Sequence, residues 1–255
     1  MANPQRPLIG RGIREATSYA DEVALSKKCG YDFNQVWFYK GDMLIGDNIT
    51  DRAAYIKSFD FPIIIHAMWN LDDFTRYGDK LIELVKYYGH KEVIIHATGK
   101  IEGADAKTIQ NANIRLRDLL ADINAKFKKL GVRVYVENNE RSLHNICATN
   151  EQIETMLSSG VGLLLDTGHT DSYEHIAEII KIKRPECLHL ANKRFTMGHE
   201  HLPLLRGDID FNLFFSKYLP NYTGRIIVEV GNEFATDQDF EQSKKVLDAI
   251  FKKTH

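Results

Sequence analysis

Residues 161–169 read VGLLLDTGH, and the fold follows from this stretch. Its apolar residues run without the in–out alternation of a strand that faces water on one side. A strand of that kind is buried on both faces, as in a parallel sheet covered by helices. Seven further runs share the character: LIGRGI (8–13), QVWFY (35–39), PIIIHA (62–67), EVIIHA (92–97), RVYVENN (133–139), CLHLAN (187–192) and GRIIVEV (224–230). Segments of helical period separate them, near 14–29, 50–59, 72–89, 106–130, 150–159, 172–183 and 210–218, with a last one at 237–253. Asp72, Asp73, Asn150 and Asp210 are start signals, and Gly89 and Gly131 are stop signals. Eight βα units in 255 residues have the size and rhythm of one closed (β/α)8 TIM barrel spanning residues 1–255. The competing architecture is an open doubly wound sheet, which would usually carry a glycine-rich nucleotide loop. The first run offers only Gly10-Arg11-Gly12, with no third glycine in place.

Composition narrows the class. Hydrophobic residues make up 44%, as in an ordinary globular protein, and the net charge of −2 gives no reason to expect a polyanionic partner. Cys29, Cys147 and Cys187 are too few and too scattered for a disulfide framework, so a reducing, cytoplasmic setting is expected. No stretch has the length of a signal peptide core or a membrane span.

Barrel strands ought to end in packing residues, yet the third to eighth runs end in metal-ligand types. They supply His66, His96, Glu137, Asp166 with His169, His189 and Glu229, and the long segment 193–209 adds His199 and His201. A barrel places all of these ends on one face, where its active sites lie. A single histidine at a strand end is often a hydrogen-bonded core residue, and a loop histidine is often solvated. Glu137, Asp166 and Glu229 resist that reading, because three carboxylates cannot share a buried pocket as anions without a cation.

In this pattern the chain resembles the xylose-isomerase-like barrels, a superfamily of sugar and sugar-phosphate isomerases and epimerases together with the endonuclease IV group. VENN (136–139), LDTGHT (165–170), LHLANK (188–193), GHEHLPLLRGDIDF (198–211) and IIVEV (226–230) carry the resemblance. It implies metal ligands at Glu137, Asp166, His189 and Glu229, a substrate-binding His169, and an acid–base pair in Glu137 and Glu229. In the endonuclease branch His66, His96, His169 and His199 would also hold a three-zinc cluster. Two departures count against that branch: Met197 stands where an acidic ligand is expected, and Asn192 where an aspartate is expected.

Three carboxylates and an imidazole suit Mn²⁺, Mg²⁺ or Co²⁺, whereas recruiting the further histidines tilts the site toward Zn²⁺. The expected chemistry is proton transfer beside a sugar carbonyl, through an enediolate whose charge the metal stabilises. Trp69 is a candidate platform for an apolar sugar face, and Lys193, Arg194 and Arg206 are candidates for a substrate phosphate. A metal-assisted phosphodiesterase acting on abasic DNA is the alternative, and a noncatalytic barrel the third reading. Oligomeric state stays open.

Overall fold

The computed structural model describes residues 6–98, 101, 103–142 and 144–252; Lys253, the expected end of the last helix, lies outside them. Eight parallel strands close into a barrel: β1 (Leu8–Gly12), β2 (Phe33–Tyr39), β4 (Ile63–Trp69), β5 (Glu92–Ala97), β6 (Arg133–Glu137), β7 (Gly162–Asp166), β8 (Cys187–Leu190) and β9 (Arg225–Val228). The ring is completed by parallel pairing of β1 with both β2 and β9. Around it lie α1 (Tyr19–Cys29), α2 (Arg52–Lys57), α3 (Asp73–Tyr88), α4 (Ala106–Lys128), α5 (Asn150–Leu157), α6 (Tyr173–Ile182), α7 (Phe211–Leu213) and α8 (Asp237–Lys252). Among the described residues no helix is long and apolar enough to cross a membrane.

The structure adds a strand that the sequence pattern does not announce. β3 (Asp42–Leu44) pairs antiparallel with β2 outside the barrel. Lys40 and Gly41 join them, both with positive φ (48° and 82°), the two-residue turn whose twist suits a hairpin. β2 also begins two residues before the apolar run at Gln35. Asn34 reads as polar, but it is buried and accepts from the Ser26 hydroxyl. Helix starts differ slightly: Thr149, one residue before Asn150, caps α5 in a reciprocal box with Gln152. The expected helix at 210–218 is the short α7, capped by Asp210 and continued by a π-helical turn at Phe214–Tyr218.

Side-chain period sets the site. Phe33, Ile64, Ile94, Tyr135, Leu164, Cys187 and Ile227 form an apolar plug inside the barrel, one from each of β2 and β4 to β9. Two positions further along each strand, the pleat returns the chain to the same inward face. Those positions are Gln35, His66, His96, Glu137, Asp166, His189 and Glu229. One period-two register therefore produces both the plug and a polar layer above it, at the C-terminal end of the strands.

Candidate metal centre

The polar layer converges on His189. Its Nδ1 lies 2.9 Å from Glu229 Oε2, 3.2 Å from Glu137 Oε2 and 3.5 Å from Asp166 Oδ2. Glu137 also faces three more imidazoles: His66 Nε2 at 3.2 Å from Oε2, and His169 Nδ1 at 3.4 Å and His96 Nδ1 at 3.6 Å from Oε1. Glu137, Asp166, His66 and His189 are fully buried. Burial opposes ionisation of Glu137, but His96 and His189 overcome it and hold the carboxyl well below its usual range. Burial likewise opposes the proton on His189, and Glu229 and Glu137 outweigh it and push the imidazole well up. Both oxygens of Glu137, Oδ2 of Asp166, Nδ1 of His189 and both nitrogens of His66 have no hydrogen-bond partner. Buried polar atoms are nearly always satisfied. Orphans of complementary type around one point are what a divalent cation would satisfy, so these residues fit a metal.

The donors fall into overlapping sets with ligand atoms within 4.8 Å of one another. His66, His96 and Glu137 form one, Asp166, His201 and Glu229 another, and His169, His199 and His201 a third. His201 is the inward histidine of the long loop: it is buried, with Nε2 3.3 Å from His169 Nε2. Gly168 makes room for it, since a Cβ there would meet the His201 ring at 2.6 Å. His199 is half-exposed and faces Glu140 at 3.3 Å. Met197, the first departure, is an exposed residue of the cavity lining, and His201 stands with His169 and His199 in one donor set beside it. Asn192, the second departure, has a structural cause. Its Nδ2 donates to the carbonyls of Leu204 and Ile209, and its Oδ1 accepts from the N–H of Ile209. An aspartate has no N–H to make the first two bonds.

Supporting residues that sequence reasoning passed over lie beside the ligands. Gln35 touches both His189 and Glu229. The Asn138 side chain accepts from the Asp166 N–H, its carbonyl lies 2.8 Å from His169 Nδ1, and Asn139 Oδ1 lies 2.7 Å from His96 Nε2. For Gln35 the signal was present in the pleat, two places beyond the inward Phe33; Asn138 and Asn139 follow the end of β6, where no such period assigns them.

A cavity of about 420 Å³ opens above, lined in part by Trp37, Met68, His96, His201, Glu229 and Phe234. Trp69 is absent from its lining and corrects the expectation. The ring is fully buried, packed edge-on against Phe38 and Phe74 on the outer side of β4. The aromatic at the cavity is Trp37, 4.5 Å from the His66 ring. The three loop cations are all engaged. Buried Lys193 donates to the Gly198 carbonyl, Arg194 pairs with Glu200, and Arg206 pairs with Asp239 away from the cavity lining.

A profile of the xylose isomerase-like TIM barrel family matches residues 23–250. The chain belongs to that family. Solved structures share the fold at low identity. A D-tagatose 3-epimerase-like protein superposes with a TM-score of 0.71 at 16% identity, over 96% of this chain and 97% of its own. A Methylomonas sp. D-allulose 3-epimerase in complex with D-allulose gives 0.70 at 17%, over 100% and 99%. A Thermus thermophilus protein soaked with ZnCl2 gives 0.70 at 16%, over 96% and 98%. No curated protein sequence matches the chain.

Proposed function

We propose that this family member is a divalent-metal-dependent isomerase or epimerase of a small sugar or sugar phosphate. The observation that carries the reading is the approach of three carboxylate oxygens to His189 Nδ1 within 3.5 Å, beside a cavity of small-molecule size. Glu137, Asp166, His189 and Glu229 would hold the cation, whose Lewis acidity stabilises negative charge on neighbouring substrate oxygens. Glu229 reaches the cavity and is placed to take the proton beside the carbonyl. Glu137, fully buried and outside the cavity lining, is the second acid–base group for a substrate seated down on the ligand layer. Return of the proton to the same carbon from the opposite face inverts it, and delivery to the neighbour moves the carbonyl. Trp37 offers an apolar wall for the C–H face of a sugar. Lys193 and Arg206 are engaged outside the cavity lining, whereas Arg194, paired with Glu200, lines the cavity and is the loop cation placed to meet a substrate phosphate. Epimerase structures with the same barrel support the substrate class.

The test is turnover of a panel of free and phosphorylated ketoses and aldoses by metal-loaded protein in deuterated water. Conversion of a sugar or sugar phosphate with deuterium at the inverted or adjacent carbon is expected. Turnover without solvent exchange would replace the glutamate mechanism with a shielded transfer or a hydride shift.

A second reading has its own observation. His66 and His96 against Glu137 form a donor set beyond the one around His189, as a multinuclear phosphodiesterase would require. Nicking of an abasic duplex by the zinc-loaded protein, with no sugar turned over, would put that reading first.

A further inference from the structure

We propose that Gln35 is a positioning residue of the metal centre: it holds His189 with hydrogen on Nε2, so that Nδ1 is the nitrogen offered to the cation. The inference rests on the metal-centre reading above. Gln35 is fully buried on the inward face of β2, between Phe33 of the plug and Trp37 at the cavity. Its amide spans two residues assigned as ligands. Nε2 donates to Glu229 Oε2 at 2.9 Å, and Oε1 lies 2.7 Å from His189 Nε2.

The direction of both bonds follows from what each group can do. An ionised carboxylate only accepts, so the NH2 end of the amide must face Glu229. The carbonyl end is then left for the imidazole, and a carbonyl oxygen only accepts. His189 Nε2 must therefore carry hydrogen. Displacement by the cation of the proton that the carboxylates draw onto the ring then leaves the lone pair on Nδ1, the atom within 3.5 Å of all three carboxylates. His66 provides the contrast, since neither of its ring nitrogens has a hydrogen-bond partner to select a tautomer. Ligating imidazoles generally donate their second N–H to an outer partner that fixes ring and tautomer, and losing that partner typically weakens metal affinity by about 10- to 100-fold. Here one uncharged amide serves two ligands at once and adds no charge to a site already holding three carboxylates.

Two variants and one spectrum test this. Gln35→Met keeps length and volume without polar atoms, whereas Gln35→Glu keeps an acceptor for His189 and, with a proton shared between the two carboxyls, a donor to Glu229. Zinc affinity is measured by chelator competition on wild type and both variants. Long-range ¹H–¹⁵N spectra of zinc-loaded, ¹⁵N-histidine-labelled wild type report the His189 tautomer directly. The expected results are hydrogen on Nε2 and zinc on Nδ1, affinity about 10- to 100-fold weaker in Gln35→Met, and recovery of most of it in Gln35→Glu. A purely structural role would lower thermal stability in Gln35→Met and leave zinc affinity unchanged. Zinc on Nε2, unchanged affinity in Gln35→Met, or equal loss in both variants would overturn the inference. If Gln35→Met does not fold, the wild-type spectrum and Gln35→Glu decide. Wild type that takes up no zinc would instead overturn the metal-centre reading itself.

Discussion

Replacing Glu229 with glutamine removes one charge while changing little in shape. Glu229 Oε2 accepts from Gln35 and faces His189 Nδ1, both at 2.9 Å, while Oε1 faces His201 at 3.7 Å. A glutamine carbonyl can take the place of Oε2 and keep the bond from Gln35, leaving its NH2 toward His201. Without metal, the lost attraction to a protonated His189 is about 6 kcal/mol at 2.9 Å and an effective dielectric near 20. Sparing the desolvation of a carboxylate offsets part of that, and breaking a buried pair usually costs about 3–5 kcal/mol net. Two other carboxylates stay within 3.5 Å of the same nitrogen, which puts the loss at the lower end. Metal-free Glu229→Gln should therefore unfold about 6–12 °C below wild type, at roughly 2–4 °C per kcal/mol for a chain of this size. The amide is far too weak a base for proton abstraction, so turnover at saturating metal should fall by about 10²- to 10⁴-fold. That corresponds to roughly 3–5 kcal/mol of barrier. Steady-state rates on the sugar that wild type converts, with metal raised until they plateau, measure it. A metal-saturated variant within a few-fold of wild type would refute the role of Glu229 as base.

Protein purified without chelator should hold one or two divalent ions per chain, because His66 falls in one donor set with His96 and Glu137 and in another with His189 and Glu229; three tightly held zinc ions by elemental analysis would contradict this and favour the phosphodiesterase. The two tryptophans should separate. Trp69→Ala is expected to cost about 3–5 kcal/mol of stability with KM unchanged, and Trp37→Ala to raise KM with a smaller stability loss; the reverse pattern in unfolding and kinetics would return Trp69 to the site. His90, far from the metal layer, is pushed down to about 4 by burial first and then by the charges of Arg225 and Lys57. Its folded value lies below the unfolded value of 6.5, so its contribution is present above pH 6.5 and lost as pH falls toward 4, up to about 3 kcal/mol. His90→Phe should flatten that limb of the stability–pH curve, and an unchanged limb would show that the histidine titrates normally.

The barrel, and the gathering of acidic and histidine side chains at one end of it, were both legible in the chain. Eight doubly buried runs such as VGLLLDTGH leave few architectures, and repeated Asp, Glu and His at strand ends leave few uses. Those signals are local: they depend on residue type and on the two-residue pleat, which a linear string preserves. What only the tertiary structure decided are the distances between runs far apart in the chain. Gln35 reads as one polar residue opening an apolar run, until closure of β1 onto β9 brings Glu229 within 2.9 Å of it. Trp37 and Trp69 look interchangeable by sequence, but strand register turns one toward the cavity and the other outward among Phe38 and Phe74. His199 and His201 differ by two places on an irregular loop with no period to assign them. Their placements follow from the Asn192 hydrogen bonds that fold the loop and from the space that Gly168 leaves for one imidazole. Periodicity places a residue on a face of its own strand; only packing says which residue stands across from it.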